Sequence, residues 1–433
     1  MDQTTASIVV VVTMLLMLGT GIWVALALAG VGFVAMALFT TRPVGMVMAT
    51  NIWGASTSWT LTALPLFIWM GEILFRTRIS SDMFKGLAPW TGWLPGRLMH
   101  VNIVGCTIFA AVSGSSAATA ATIGRMTIPE LTRRGYDPMM IVGSLAGAGT
   151  LGLLIPPSII MIVYGVAADV SIARLFIAGV IPGIVLTGLF MLYVGGWSLL
   201  NPDRVPPREA RQSFAEKIRD TGSLIPVMLL IVGVLGSIYA GIATPTEAAG
   251  IGVLGSLVLA MVTGTMSWAT FRDSVMGAAH TSCMIGFILA GAAFLTVAMG
   301  YTGIPRLLAE WITSMQLSTA ALLVVLTLFF IVMGCFLDGI SMVVLTTSVI
   351  LPMVQNAGID LLWFGIYIII VVEMAQITPP VGFNLFVLQS MTGKSIFTVG
   401  KASLPFFLMM IVMVALLWIF PGMVTWLPSL MIG

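Results

Sequence analysis

Residues 98–131 read LMHVNIVGCTIFAAVSGSSAATAATIGRMTIPEL, and after a short polar break residues 149–165 read GTLGLLIPPSIIMIVYG. Between Arg97 and Arg125 stand 27 residues with no acid, Lys or Arg, yet they do not read as one spanning helix. Their middle is Ser113-Gly114-Ser115-Ser116, a backbone that lipid could not satisfy. Residues 98–112 number 15 and residues 117–128 number 12, about 22 and 18 Å of helix at 1.5 Å per residue. Each arm passes the middle of a ~30 Å hydrocarbon core without crossing it. Charge flanks both ends, with Arg97 before and Glu130, Arg133, Arg134 and Asp137 after. The pattern is a re-entrant hairpin over about residues 98–128, its Gly/Ser tip deep among protein or beside a water-filled cavity.

The next apolar segment, residues 139–168, is interrupted by Gly147-Ala148-Gly149-Thr150 and by Pro156-Pro157-Ser158. Proline removes an N–H donor and frees carbonyls one turn back, so the helix is expected to break near mid-membrane. A hairpin tip beside a broken helix puts carbonyls, hydroxyls and helix ends at one depth. Hard cations take oxygen ligands and anions take helix N-termini, so this is the chemistry of a secondary transporter site.

The module occurs twice. At an offset of 223 residues, Pro129, Pro156, Pro157 and Pro182 fall on Pro352, Pro379, Pro380 and Pro405, and Gly135 and Asp137 on Gly358 and Asp360. The second tip, Asp338-Gly339, lies between arms 322–336 and 340–351, in a hairpin over about residues 322–352. The second broken helix, residues 361–391, carries Gln376-Ile377-Thr378-Pro379-Pro380 and Asn384.

The chain of 433 residues is 59% hydrophobic and 8% charged, against about 25% charged in soluble domains. With a mean hydropathy of +1.11, it is an integral membrane protein made of helices. A net charge of +2 says little about partners. Cys106, Cys283 and Cys335 are far apart in apolar runs, which argues against a disulfide framework or a zinc site. The N-terminus, with Asp2 and no basic leader or A-x-A site, reads as retained.

The remaining segments follow the repeat. Residues 8–39 are expected to form two short helices around Gly19-Thr20-Gly21, as residues 224–266 divide at 241–247. Residues 51–75 form the next crossing, and residues 76–97, with Trp90 and Trp93, an interfacial arm. Residues 201–223 carry nine charges in their first twenty positions and join a first repeat (residues 1–200) to a second (residues 224–433), whose last helix is residues 402–419. About five crossings per repeat make the two inverted. With the linker in the cytoplasm, 15 Lys/Arg lie inside and three (Arg42, Arg174, Arg306) outside, as the positive-inside rule requires. The hairpins then enter from opposite faces. The fold class is an all-α polytopic membrane protein of two inverted repeats.

The ordered motifs SGSSAATAATIG, IPEL, RGYD, LGLLIPPS, LFIAGVIPG, ATPTEAAG and TPPVGFNLF resemble the large membrane subunit of tripartite ATP-independent periplasmic (TRAP) transporters, over essentially the whole chain. The resemblance implies an elevator-type, sodium-coupled importer of organic acids in a bacterial inner membrane. Its partners would be a smaller membrane subunit and a soluble periplasmic binding protein. Arg125 and Glu373 depart from the family pattern, in which a small and a neutral residue are expected.

Within this frame Na⁺ is the coupling ion and no other cofactor is expected. The clustered tip and break oxygens form two candidate Na⁺ sites, and no buried Lys or His relay accompanies them. The first comprises Ser113, Gly114 and Ser115 with Gly149, Thr150 and Pro156. The second comprises Asp338, Gly339 and Ser341 with Thr378 and Pro379. Substrate candidates are the neutral donors Ser116, Thr119 and Asn384, and Arg125, which reads chiefly as a snorkelling side chain at the cytoplasmic edge. The two modules are expected to move together against a scaffold of first helices and of arms 76–97 and 304–315.

Plainer readings compete with each element. The small tip residues could simply let helices pack closely, and Asp338 could be a structural partner. Glu72 and Glu247 read as interfacial and structural, and the 31 Met residues as core filler. An enzyme is not expected. His100 and His280 stand at no motif that would complete an intramembrane serine protease with Gly114-Ser115-Ser116. Gly393-Lys394-Ser395 lacks the leading glycine of a phosphate loop, where Leu388 stands. A channel would rarely need two inverted hairpins. A stand-alone sodium-coupled anion carrier on the same scaffold is the main alternative.

Overall fold

In the computed structural model, residues 3–77, 79–207, 213–222, 224–304, 307, 310, 315, 317–334, 337–380 and 382–430 are described. The regular structure among them is helical. The chain opens with α1 (Gln3–Gly19) and α2 (Val24–Phe39), the two short helices expected there. Next come α3 (Val44–Ser56), α4 (Ala63–Phe75) and α5 (Ile79–Thr91). The first hairpin is α6 (Met99–Ser113) and α7 (Ser116–Arg133), and the first broken helix is α8 (Pro138–Leu154) and α9 (Ile159–Ala168). Then follow α10 (Ile172–Leu200), α11 (Phe214–Thr221), α12 (Ile225–Tyr239), α13 (Pro245–Val262) and α14 (Trp268–Thr302). The second hairpin is α15 (Thr319–Met333) and α16 (Gly339–Asn356). The second broken helix is α17 (Leu361–Gln376) and α18 (Phe383–Thr392), and α19 (Ile396–Ile419) and α20 (Gly422–Ser429) close the chain.

Several boundaries differ from expectation for local reasons. The second arm of the first hairpin does not stop at Ile128. α7 absorbs Pro129 in its interior and runs on to Arg133, where Glu130 pairs with Arg133 at 2.7 Å and Arg134 at 2.6 Å. The crossing expected over 51–75 starts at Val44 and bends by 51° between α3 and α4, with a short 3-10 turn at Trp59–Thr62. The last long helix starts at Ile396 because Ser395 caps it. Most of the arm expected at 304–315, and Cys335 and Phe336 at the end of the second hairpin's first arm, lie outside the described residues.

The sequence repeat is a structural repeat. Gly135 and Gly358 both have positive φ, +79° and +71°. Two residues later Asp137 caps α8, accepting from the Met139 and Met140 amides at 2.9 Å. Asp360 caps α17 in the same way through the Trp363 amide, also at 2.9 Å. Both helices end at a proline pair whose internal peptide is cis. The tips match too: Ser115 caps α7 and Asp338 caps α16, one of them neutral and the other charged, 223 positions apart.

Packing follows the same rule. The first hairpin lies on α8 and the second on α17, while α9 crosses to α16 and α18 crosses to α7. Each broken helix therefore holds its own hairpin with one half and the other hairpin with its second half. Around this body, α2, α3, α4, α13 and α14 pack on one another. The hairpin arms meet that group through α4 and α14. α5 is pinned to the linker helix α11, where Trp90 Nε1 donates to Thr221 Oγ1 at 2.7 Å.

Among the described residues, four helices are long and apolar enough to cross a bilayer unaided, α10, α13, α14 and α19, and up to eight spans result if each bent pair counts as one. The chain is a multi-pass membrane protein.

Candidate functional site

At the first tip, α6 ends on Gly114, whose φ of +57° turns the chain into α7. A Cβ there would also stand 3.0 Å from the Pro157 carbonyl oxygen, so the position needs glycine twice over. The Gly114 carbonyl accepts from the Ile159 amide at 3.3 Å, tying the tip to the start of α9. Ser113 Oγ and Thr119 Oγ1 lie 2.6 Å apart, and Thr119 donates on to the Ser115 carbonyl at 2.7 Å. Gly152 of α8 lies so close that a Cβ would sit 2.5 Å from the Ser115 carbonyl oxygen. Gly149 faces Ala120, and Thr150 is buried, donating to the Gly147 carbonyl at 2.6 Å. Pro156 is buried at the break. The first candidate set is thus brought together in space.

In the second set, the tip meets α17 just before its break. Asp338 is exposed and accepts from the Ile340 and Ser341 amides at 3.1 and 3.2 Å. Gly339 abuts Val372 and Gln376 of α17. The Ser341 hydroxyl is buried with no partner among the described residues. Beyond the break, Thr378 Oγ1 donates to the Met374 carbonyl at 2.7 Å, and Pro379 lies against Gly400.

One residue joins the two tips. Ser116 Oγ donates to Gln376 Oε1 at 2.7 Å, while the other end of the same amide, Nε2, would be 2.4 Å from a Cβ on Gly339. Ser116 and Gly339 are themselves 223 positions apart, so Gln376 touches the same position of both hairpins. Gln376 stands beside the break in the sequence but is not among the residues expected at either site.

The substrate candidates separate into two groups. With Ser116 meeting Gln376 before the break and Gly124 meeting Met391 after it, α7 and α18 lie side by side in the same direction. Asn384 stands in the first turn of α18, the helix that packs on α7. It is 0% exposed, and both amide atoms are without partners among the described residues. Unmade hydrogen bonds of this kind cost about 1–3 kcal/mol. Arg125 is not gathered with them. Its side chain is exposed, with the guanidinium 5.6 Å from the centroid of the Phe75 ring.

Glu72, read as structural, also lies near the first tip. Together with Gly71, Phe75 and Thr281 it lines a cavity of about 140 Å³ whose far wall is Ser113, Ser115, Ala118 and Ile159. Its carboxylate holds Arg76 at 2.8 Å. A larger cavity of about 370 Å³ lies away from the tips, between the α3–α4 break, the α9–α10 turn at Asp169 and the start of α13.

Comparison with known proteins agrees with this architecture. Residues 9–423 match the family described as tripartite ATP-independent periplasmic transporter, DctM component. The C4-dicarboxylate TRAP transporter large permease protein DctM of Vibrio cholerae is 32% identical over 396 residues, covering 87% of each chain. The ectoine/5-hydroxyectoine TRAP transporter large permease protein UehC of Ruegeria pomeroyi is 32% identical over 98% of this chain and 99% of its own. Among solved structures, the Alcanivorax borkumensis YdaH transporter superposes with a TM-score of 0.65 over 95% of this chain and 98% of that one, at 16% identity, a likeness of fold. The chain belongs to the DctM component family of tripartite ATP-independent periplasmic transporters.

Proposed function

We propose that the chain is the large membrane subunit of a TRAP importer in a bacterial inner membrane, driving uptake of an organic acid with Na⁺. A periplasmic binding protein delivers the substrate and a smaller membrane subunit completes the membrane part. The observation that carries this reading is the junction of both hairpin tips on Gln376, because two arms from separate repeats then enclose one site. Support for Na⁺ comes from the carbonyls and hydroxyls that surround each tip, which are hard-cation ligands. Support for an organic acid comes from relatives named for C4-dicarboxylate and for ectoine. The acid would be held by helix N-termini and neutral donors, with Ser116, Thr119 and Asn384 in that role. Both hairpins, α8, α9, α17 and α18 would travel as one body past α4 and α14.

Proteoliposomes holding both membrane subunits, supplied with the binding protein and labelled substrate, test the reading. Uptake should require a Na⁺ gradient and fail under K⁺ or pH gradients alone. Equal uptake from a proton gradient in Na⁺-free buffer would overturn it. Transport by the chain without its partners would instead favour the stand-alone carrier.

A further inference from the structure

Glu373 is an acid at the crossing of the two broken helices, one turn before Gln376 on α17. Its side chain is 1% exposed. Oε1 accepts a 3.1 Å hydrogen bond from the Leu153 amide near the end of α8. Oε2 is buried and without a partner among the described residues. The charged and titratable groups on the elements packed against α17 lie elsewhere. Tyr164 of α9 donates to the Leu361 carbonyl at the opposite end of α17, and Tyr367 bonds to Thr327 and Leu323. Tyr193 of α10 packs on Phe406, and Arg174, Asp338 and Lys401 are exposed. α8, α15, α18 and α20 carry none within their helices.

An ionised carboxylate here would leave water for a single hydrogen bond, at a cost of several kcal/mol. A bound cation would need several oxygens around it, whereas the group that meets this carboxyl is an N–H. A neutral carboxylic acid fits both observations: its carbonyl oxygen accepts from Leu153, and a proton on Oε2 removes the charge. Gln376, one turn further along α17, has its side chain between the two tips.

We propose that Glu373 is a proton-binding site at the crossing of the broken helices, filled in this conformation and sealed by Gln376. The proton comes from water and returns to it when Gln376 turns aside, Glu373 alternating between acid and carboxylate. Losing the proton loosens the crossing, so transport weakens as pH rises, while Na⁺ remains the driving ion. The transport consequence rests on the proposed function; the protonation itself does not.

Infrared difference spectra of the purified chain, wild type minus Glu373→Gln, should show a protonated-carboxyl C=O stretch at neutral pH. Thermal unfolding checks that the variant is folded. In proteoliposomes under a fixed Na⁺ gradient, wild-type uptake should fall above the titration point by about tenfold per pH unit at most. Glu373→Gln, which mimics the neutral acid, should hold its low-pH rate throughout. No such band at neutral pH, a folded but inactive Glu373→Gln, or identical pH profiles would overturn the proposal. If neither protein transports, the proposed function fails and the infrared band still decides the protonation.

Discussion

The Ser116 hydroxyl and the Gln376 side-chain carbonyl share a buried 2.7 Å hydrogen bond that spans 260 residues of sequence. It is a direct polar link between the first hairpin and the second broken helix. Because Gln376 also abuts Gly339, a single side-chain amide contacts both tips.

Ser116→Ala leaves the buried Gln376 oxygen unpaired, a loss of about 1–3 kcal/mol. Uptake at limiting Na⁺ should drop by about tenfold or more, since about 1.4 kcal/mol is a factor of ten. Gln376→Leu should do similar harm. The double variant should be less impaired than the sum, by about 1 kcal/mol or more, as contacting residues are in a double-mutant cycle. Additive losses would show that the bond does not couple the tips.

Asn384 yields a prediction of opposite signs. Its amide is buried and unpartnered among the described residues, so Asn384→Leu removes an unmet hydrogen-bonding demand while keeping the branched shape and the count of side-chain heavy atoms. The variant, without ligand, should unfold at or above the wild-type temperature. Its uptake should nonetheless fall by about tenfold or more, the worth of one or two hydrogen bonds to substrate. Parallel loss of stability and transport would assign Asn384 to the core instead.

Arg125 should matter little to affinity. It is exposed over Phe75, a contact worth about 0.5–1 kcal/mol at such positions. Arg125→Gln should leave the apparent substrate KM within about fivefold, the factor that 1 kcal/mol commands. A hundredfold rise would move the carboxylate partner to Arg125.

The fold was readable because it is written in local backbone chemistry. Gly135, Asp137 and Pro156-Pro157, repeated at Gly358, Asp360 and Pro379-Pro380, each impose a conformation on their own neighbours. Tips and breaks therefore emerge from spacing alone. Pro129 misled the boundary of α7 because a proline in an exposed helical turn costs less than one in lipid, where no water meets the freed carbonyl. The positions of Gln376 and Glu72 beside the tips were not readable. Gln376 acquires its partners from segments 260 and 37 residues away, and Glu72 reaches the first tip only through the packing of α4 on α6. No periodicity in either residue's neighbourhood records those meetings.

Movement of the modules as one body makes a demand on the cavity that α14 and the first hairpin share. Thr281 of α14 and Ala118 of α7 line opposite sides of the cavity at the first tip. The first hairpin packs on the surrounding helices through α4, and the second through α14. Cys106 is buried and Cys283 exposed, so a Thr281→Cys, Ala118→Cys pair belongs in a background where the native cysteines are replaced. A short bifunctional maleimide bridging the pair should arrest Na⁺-driven uptake, because the hairpin could no longer slide past α14. Each single variant treated with the same reagent should keep most of its rate. Full cross-link yield, verified by mass, with uptake intact would mean that the first hairpin stays beside α14 throughout the cycle, and the moving body would have to be redrawn without it.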